Sequence, residues 1–563
     1  MVAMAARAAL AACAGRAALA MHTSLYSQPD GALPSVAGGG SSLEAGAEGH
    51  AIPIDGAPAV QTGTAANGLE QHRRQKEQAL WLGGRSRQVM TNHNDVQYVG
   101  FVEVGGQTIS GIFDTGSFEL VVFSAVCQTC GVAGRYDPAL SASHRRGNLT
   151  SSQGYGSGTV STQDASDMVS VGPYGPKNQS FWEVTDANMP VLANSEFQCI
   201  IGLGPPETPA IDADLRLAKI LESKSSYTDA GMPLPSDLLK SEENVRAVKL
   251  AMEKKSMVVE NFDATLFSIC VGKQPNSNGY LIWGDTAPLV KPEYFLRVKV
   301  AGNHTWSVTL DEPTLVYDPT AKDRQFDEGN KFAGRAIGCP DGCGALLDSG
   351  TSLLAVPASV LHDLVMLTLE PGFNCSNMWE LPSIKFKLGG QEVILPPDSY
   401  ISEVQNEAIV PSYLQSFVRL RRLGPARDLG SQELGSYRGS ERLGPRRGLD
   451  SLGPRREMNA QRPGARCDLT VMESRAKTAH GPLWILGVPF FRQYYATFEV
   501  SGRSSENRAI HLARASDTCH PAAPSESSRF PPRTQLYKRL IDPAKLWVPP
   551  STYSALSADY VFL

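Results

Sequence analysis

Two short stretches of the chain have the residue types needed for acid–base chemistry. One runs Gly111-Ile112-Phe113-Asp114-Thr115-Gly116-Ser117, the other Ala345-Leu346-Leu347-Asp348-Ser349-Gly350-Thr351. Each ends an apolar, strand-like run in one carboxylate, followed by a small hydroxyl residue, a glycine and a second hydroxyl. Two carboxylates placed face to face cannot easily both ionise, so one keeps a proton and the pair holds an acid and a base together. Such a pair can take a proton from a water and give one to the oxygen that the attack charges. A lone Asp-Thr-Gly is equally well a surface Asx turn. Here the motif occurs twice, and each copy is followed downstream by two apolar residues and a glycine, Ile200-Ile201-Gly202 and Ile485-Leu486-Gly487. That ordered set of four is far more specific than either motif alone.

The elements that must position these loops read as short strands. Residues 96–104 alternate and end at Gly105-Gly106, a hairpin turn, and Gln107 to Phe113 forms the strand that delivers Asp114. Gly154-Tyr155-Gly156-Ser157-Gly158 interrupts two extended segments and reads as a glycine-rich hairpin tip. Residues 205–262 differ: 213–221 and 238–257 have helical periodicity and many charges, as surface helices in a long connection. Strands return at 264–270 and 280–283, and in the second half at 295–300, 304–310, 383–388 and 392–395. A helix is expected over 357–369, with Pro357 near its start. Residues 416–466 repeat Leu-Gly-Pro at 423, 443 and 452, each soon followed by arginine, and read as a basic low-complexity insertion. With Tyr437 the one aromatic in the repeats, a solvated loop is favoured over a nucleic-acid-binding segment. From about 516 onward Ser and Pro are frequent and no core pattern is evident, so a tail is expected.

Composition bounds the rest. A chain of 563 residues with 42% hydrophobic and 19% charged residues can bury sizeable cores. A formal net charge of −5 argues against a global nucleic-acid role. No run of 18 apolar residues occurs, so no transmembrane helix is expected. Ten cysteines are present. Cys127-x-x-Cys130 is half of a zinc site, but no second half with suitable spacing and histidines follows, and disulfides in an oxidising compartment fit better. Cys199 and Cys270 lie on apolar strands and read as buried free thiols. At the N-terminus, Arg7, an alanine-rich run and Ala18-Leu19-Ala20 suggest a signal peptide over 1–20 and entry to the secretory pathway. Arg16 interrupts that run, and an Ala-rich leader or an organelle transit peptide is the competing reading. Residues 21–90 read as a disordered leader or pro-segment, with a short basic helix within 68–82. Sequons occur at Asn148, Asn178, Asn303 and Asn374.

Over residues 93–515 the chain resembles the pepsin-type aspartic proteases, through FDTGSFELVVFS, ALLDSGTSLLAVP, the two apolar-apolar-Gly partners, Tyr155-Gly156-Ser157-Gly158 and WILGVPFFRQYYATFEV. The FELVVFS variant and the insertions resemble those of protozoan-parasite members. The resemblance implies a mainly β, bilobal double-β-barrel fold with an active-site cleft between pseudo-symmetric lobes, 91–285 and 286–515, and an aspartic endopeptidase made as a zymogen. It implies that Asp114 and Asp348 are the catalytic pair, with no cofactor and no metal. Thr115 and Ser349 would bond across the two loops, Ser117 and Thr351 would bond the outer carboxylate oxygens, and Gly116 and Gly350 would allow close approach. Tyr155 and Gly156 would form the flap that closes over an extended peptide or protein substrate. Disulfides Cys127–Cys130, Cys339–Cys343 and Cys375–Cys467 are implied, as is a monomer that binds no nucleic acid. Two departures stand out. No tryptophan follows Asp114 within four to eight residues to partner the flap tyrosine, and Val488 stands where the family often has aspartate. The competing functional reading is a catalytically inactive pepsin-like peptide- or protein-binding module.

Overall fold

The computed structural model describes residues 86–155, 157–302, 304–317, 334–368, 374–405, 465–500, 505–523 and 536–547. The expected signal peptide, most of the leader, Gly156, Asn303 and nearly all of the basic insertion lie outside these residues.

The same strand arrangement is built twice. In the first half, strand Gln107–Asp114 runs parallel to Cys199–Gly202, with Asp114 opposite Gly202. Strand Leu120–Phe123 pairs antiparallel with Cys199–Gly202 and parallel with Tyr174–Asn188. In the second half, strand Cys343–Leu347 runs parallel to Gly481–Leu486, with Leu347 opposite Leu486. Strand Leu354–Pro357 pairs antiparallel with Gly481–Leu486 and parallel with Val471–Ser474. Strands Cys199–Gly202 and Gly481–Leu486 each run between one parallel and one antiparallel neighbour, and these strands and Cys343–Leu347 are buried on both faces. Their near-continuous apolar runs, such as the wholly buried Cys-Gly-Ala-Leu-Leu of 343–347, are the sequence signature of that environment.

A shared sheet joins the halves. Strands Leu296–Lys299, Ala509–Ala515 and Tyr494–Glu499 continue into Leu266–Val271, Gly279–Trp283 and Ser86–His93. The seam is the antiparallel pairing of Ala496–Glu499 with Leu266–Ile269, where Phe267 stacks on Phe498 with centroids 5.0 Å apart. Trp306 of the second half adds a cross-link, its indole N–H donating to the Leu203 carbonyl at 2.9 Å. The fold is thus mainly β and two-lobed.

The long connection carries helices Thr208–Asp229 and Ser236–Met252. Helix Ala358–Thr368 fills one side of the second lobe, burying Val360, Leu361, Leu364 and Leu367. The hairpin formed by Arg145–Tyr155 and Gly158–Val171 places Tyr155 opposite Gly158 at its tip.

Disulfides join Cys127–Cys130, Cys339–Cys343, Cys375–Cys467 and Cys270–Cys519. The last corrects the expectation for Cys270, which is not a free thiol; Cys199 is free and buried. The ends of the expected segments also shift. Strand Ser86–His93 begins inside the expected leader, and Ala465–Leu469 begins inside the expected insertion. The expected tail beyond 515 does not describe 516–523 and 536–547. Cys519, Ile541, Leu546 and Trp547 are buried there, and Leu540–Ile541 pairs parallel with Glu403–Val404. The Cys270–Cys519 bond closes a sequence separation of 249 residues. Cys519→Ser should therefore lower the thermal midpoint measured by calorimetry under non-reducing conditions, reflecting a loss of stability of up to about 5 kcal/mol in the chain-entropy account.

Candidate active site

The two motif loops meet tip to tip. The Thr115 N–H donates to Ser349 Oγ at 3.1 Å, and the Ser349 N–H donates to Thr115 Oγ1 at 2.9 Å. Each hydroxyl in turn donates behind the opposite loop, Thr115 Oγ1 to the Leu347 carbonyl at 2.8 Å and Ser349 Oγ to the Phe113 carbonyl at 2.6 Å. Every donor and acceptor in this exchange is used, so the two loops are fixed relative to each other. The glycines let them close. A Cβ on Gly116 would lie 2.5 Å from Asp348 Cγ, and one on Gly350 would run into the Asp114 carboxylate. Each carboxylate therefore packs directly on the opposite loop's backbone.

The apolar-apolar-Gly strands hold these loops from behind. Leu203 N–H donates to the Asp114 carbonyl and Gly204 N–H to that of Ser117, both at 2.8 Å. In the second lobe Asp348 N–H donates to the Leu486 carbonyl at 3.1 Å and Val488 N–H to that of Thr351 at 2.8 Å. Val488 thus serves through its backbone. Side chains are excluded at Gly202 and Gly487, where a Cβ would meet the backbone of Phe118–Glu119 and of Thr351–Leu353.

Asp114 is 1% exposed and Asp348 0%. The Gly116 N–H donates to Asp114 Oδ1 at 2.8 Å, and the Gly350 N–H to Asp348 Oδ1 at 2.9 Å. Beyond that the two sides differ. Thr351 Oγ1 donates to Asp348 Oδ2 at 2.7 Å, whereas Ser117 Oγ and Asp114 Oδ2 are buried with no hydrogen-bond partner. The bond expected from Thr351 is present; Ser117 Oγ makes none within hydrogen-bond geometry, although Ser117 lies close enough to Asp114 to oppose the effect of burial on it. Burial raises Asp114, and raises Asp348 well above the ordinary carboxylate range with the charge on Asp114 adding to it. The pair therefore holds one of its protons above the ordinary aspartate range.

Tyr155 at the hairpin tip is 5% exposed. Burial and the nearby Asp114 charge raise its phenol. A ring from a segment remote in sequence packs on Tyr155. Trp547 lies 5.3 Å from Tyr155 and 5.1 Å from Phe197, centroid to centroid. Nothing in its sequence context signalled this.

Sequence reasoning also missed Glu119, which follows the first loop. Its carbonyl accepts from the Gly202 N–H at 3.1 Å, and its carboxylate accepts from the Trp182 indole N–H. Burial pushes Glu119 up to about 7, with the Asp212 charge contributing, and pushes Asp212 up to about 6. Among the described residues no cluster of three or more His, Cys, Asp or Glu could hold a metal ion.

A family model described as "Eukaryotic aspartyl protease" matches residues 97–230 and 241–415, more than half of the chain. The chain belongs to this family, and its relatives mark it as pepsin-like. It is 24% identical to pepsin A of Gallus gallus over 323 residues, 56% of this chain and 74% of that protein. It is 26% identical to cathepsin E-A of Xenopus laevis over 358 residues, 62% and 77% of the two chains. To chymosin of Camelus dromedarius it is 26% identical over 342 residues, 58% and 74%.

Two outcomes follow from this geometry. Gly116→Ala should retain the fold, since the clash is local, but lose about a hundredfold or more of peptide hydrolysis because the pair is displaced. Circular dichroism and a fluorogenic peptide assay check this. Glu119 and Asp212 hold protons in the folded state that the unfolded chain releases, so their stabilisation is complete below their unfolded pKa values and is lost as pH rises through about 6 and 7. The thermal midpoint should fall between pH 4.5 and 7.5, and Glu119→Gln should flatten that fall.

Proposed function

We propose that the protein is an aspartic endopeptidase that hydrolyses peptide bonds with a water activated by Asp114 and Asp348. The single observation that supports this most is the pair itself: two buried carboxylates, each packed on the other loop's glycine and joined by the Thr115–Ser349 exchange. The ionised member takes a proton from the water as the water's oxygen attacks the peptide carbonyl. The protonated member donates to the developing oxyanion, and a proton then passes to the departing amine, so no covalent intermediate forms. The raised titration of the pair keeps one proton available through the acidic range. The unpaired Asp114 Oδ2 and Ser117 Oγ leave open donor and acceptor positions for the water and the carbonyl. Tyr155 covers the reacting bond and limits water entry.

The substrate is an extended peptide or protein segment, bound by strand-like pairing beneath the hairpin. One chain supplies both carboxylates, so a monomer suffices. Four disulfides suit maturation in an oxidising, secretory compartment. No helix of the described residues is long and apolar enough to cross a membrane. The stretch before Ser86 is read as a pro-segment removed from a zymogen, which N-terminal sequencing of the mature protein would locate. Purified protein should hydrolyse a denatured protein between about pH 3 and 6, the range in which such a pair shares one proton. Asp114→Asn should abolish this. A processed wild-type protein that is inert across that range contradicts the reading.

A further inference from the structure

The segment 536–547 ends against the second motif loop. Its last described residue, Trp547, exchanges two backbone hydrogen bonds with the second motif loop. The Trp547 N–H donates to Ser352 Oγ at 2.8 Å, and the Ser352 N–H donates to the Trp547 carbonyl at 3.0 Å. Ser352 directly follows Thr351, whose hydroxyl holds the Asp348 carboxylate. The Trp547 ring is 0% exposed and packed between Tyr155 of the hairpin tip and Phe197. The chain thus lies beside the carboxylate pair and beneath the element proposed to close over substrate. An extended ligand received by a backbone edge makes such contacts, with main-chain bonds independent of sequence and a pocket for one side chain.

The approach to this position touches both lobes. Leu540–Ile541 adds as a parallel strand to Glu403–Val404. Arg539, buried, meets Asp398 at 3.4 Å in the second lobe. In the first lobe Gln97 Nε2 donates to the Lys545 carbonyl at 2.7 Å, and Lys545 Nζ donates to Asn94 Oδ1 at 2.9 Å. The segment therefore crosses from one lobe to the other. At 540–541 it is held by strand pairing, whereas its far end is held by the Ser352 exchange and ring packing. The Trp547 indole N–H is buried with no hydrogen-bond partner, and leaving such a donor unpaired is costly. A free peptide able to satisfy the same Ser352 contacts competes against an occupant that is imperfectly paired.

We propose that residues 536–547 are a cis-acting occupant of the substrate cleft, an autoinhibitory strap whose Trp547 end must leave before a peptide binds. This rests on the reading of the cleft as a peptide site. Tethering gives the strap a high effective concentration, so it raises the apparent dissociation constant of any competing peptide without altering the chemistry of the carboxylates.

The test separates occupancy from catalysis. A fluorescein-labelled peptide reproducing residues 536–547 is titrated against the full chain carrying Asp114→Asn, with and without Trp547→Ala. The strap predicts binding about tenfold tighter to the Trp547→Ala chain, the factor by which a mostly occupied site masks its own affinity. It also predicts no binding of a peptide in which the tryptophan is alanine. With Asp114 intact, Trp547→Ala should lower KM for an extended substrate by a similar factor and leave kcat unchanged. If Trp547 instead only props the Tyr155 hairpin, Trp547→Ala lowers kcat and leaves or weakens peptide affinity; that result overturns the proposal. Tighter peptide binding without turnover in any Asp114-containing chain would sink the protease reading and keep the strap. A peptide that binds neither chain overturns the strap.

Discussion

The structure depends on the exchange between Thr115 and Ser349. Two hydroxyls and two backbone amides bind across a local two-fold, and each hydroxyl also reaches the carbonyl behind the opposite loop. Only this brings two carboxylates together out of water, which is unfavourable by itself. Burial raises both, and the charge on Asp114 raises Asp348 further, which favours a proton held by the pair. The duplicated strand arrangement exists around that exchange. The apolar-apolar-Gly strand pairs parallel with the strand entering each loop and antiparallel with the strand leaving it, and its glycine lets it lie directly against the loop.

The two halves are not equivalent where they meet. Thr351 satisfies the outer oxygen of Asp348, and Ser117 leaves that of Asp114 free. The first lobe also supplies the hairpin with Tyr155, and half-buried Glu119 follows its loop. The asymmetry suits a reaction in which one carboxylate faces the incoming water while the other is held protonated. The C-terminal segment adds a second asymmetry, because it bonds the Ser352 end of the second loop.

Much of this was legible in the chain. The two motif loops are contiguous motifs whose apolar run, carboxylate, hydroxyl and glycine each have a local reason, and their repetition announces the two lobes. The hairpin that ends at Tyr155 was readable from its glycines. What was not legible depends on partners remote in sequence. Cys270 sits on an apolar strand and resembles a buried thiol until Cys519, 249 residues away, is brought beside it. Leu536–Trp547 is charge-rich with no strand or helix period, so its local pattern reads as tail. Its burial comes from Glu403–Val404, Asp398 and Ser352, none near it in the chain. The absence of a tryptophan after Asp114 was visible, but the packing of Trp547 on Tyr155 was not. The difference between Ser117 and Thr351 is likewise invisible, because both residues carry the same hydroxyl.

The shared proton is the centre of this account, and it can be observed directly. Aspartate labelled with ¹³C at Cγ, with Asp114 and Asp348 assigned by single substitutions, reports the ionisation of each carboxyl by NMR as pH is varied. The account predicts that the pair retains one proton at about pH 6, where an ordinary aspartate is almost fully ionised. Two carboxyls both ionised at that pH, titrating independently near the ordinary value, would contradict it.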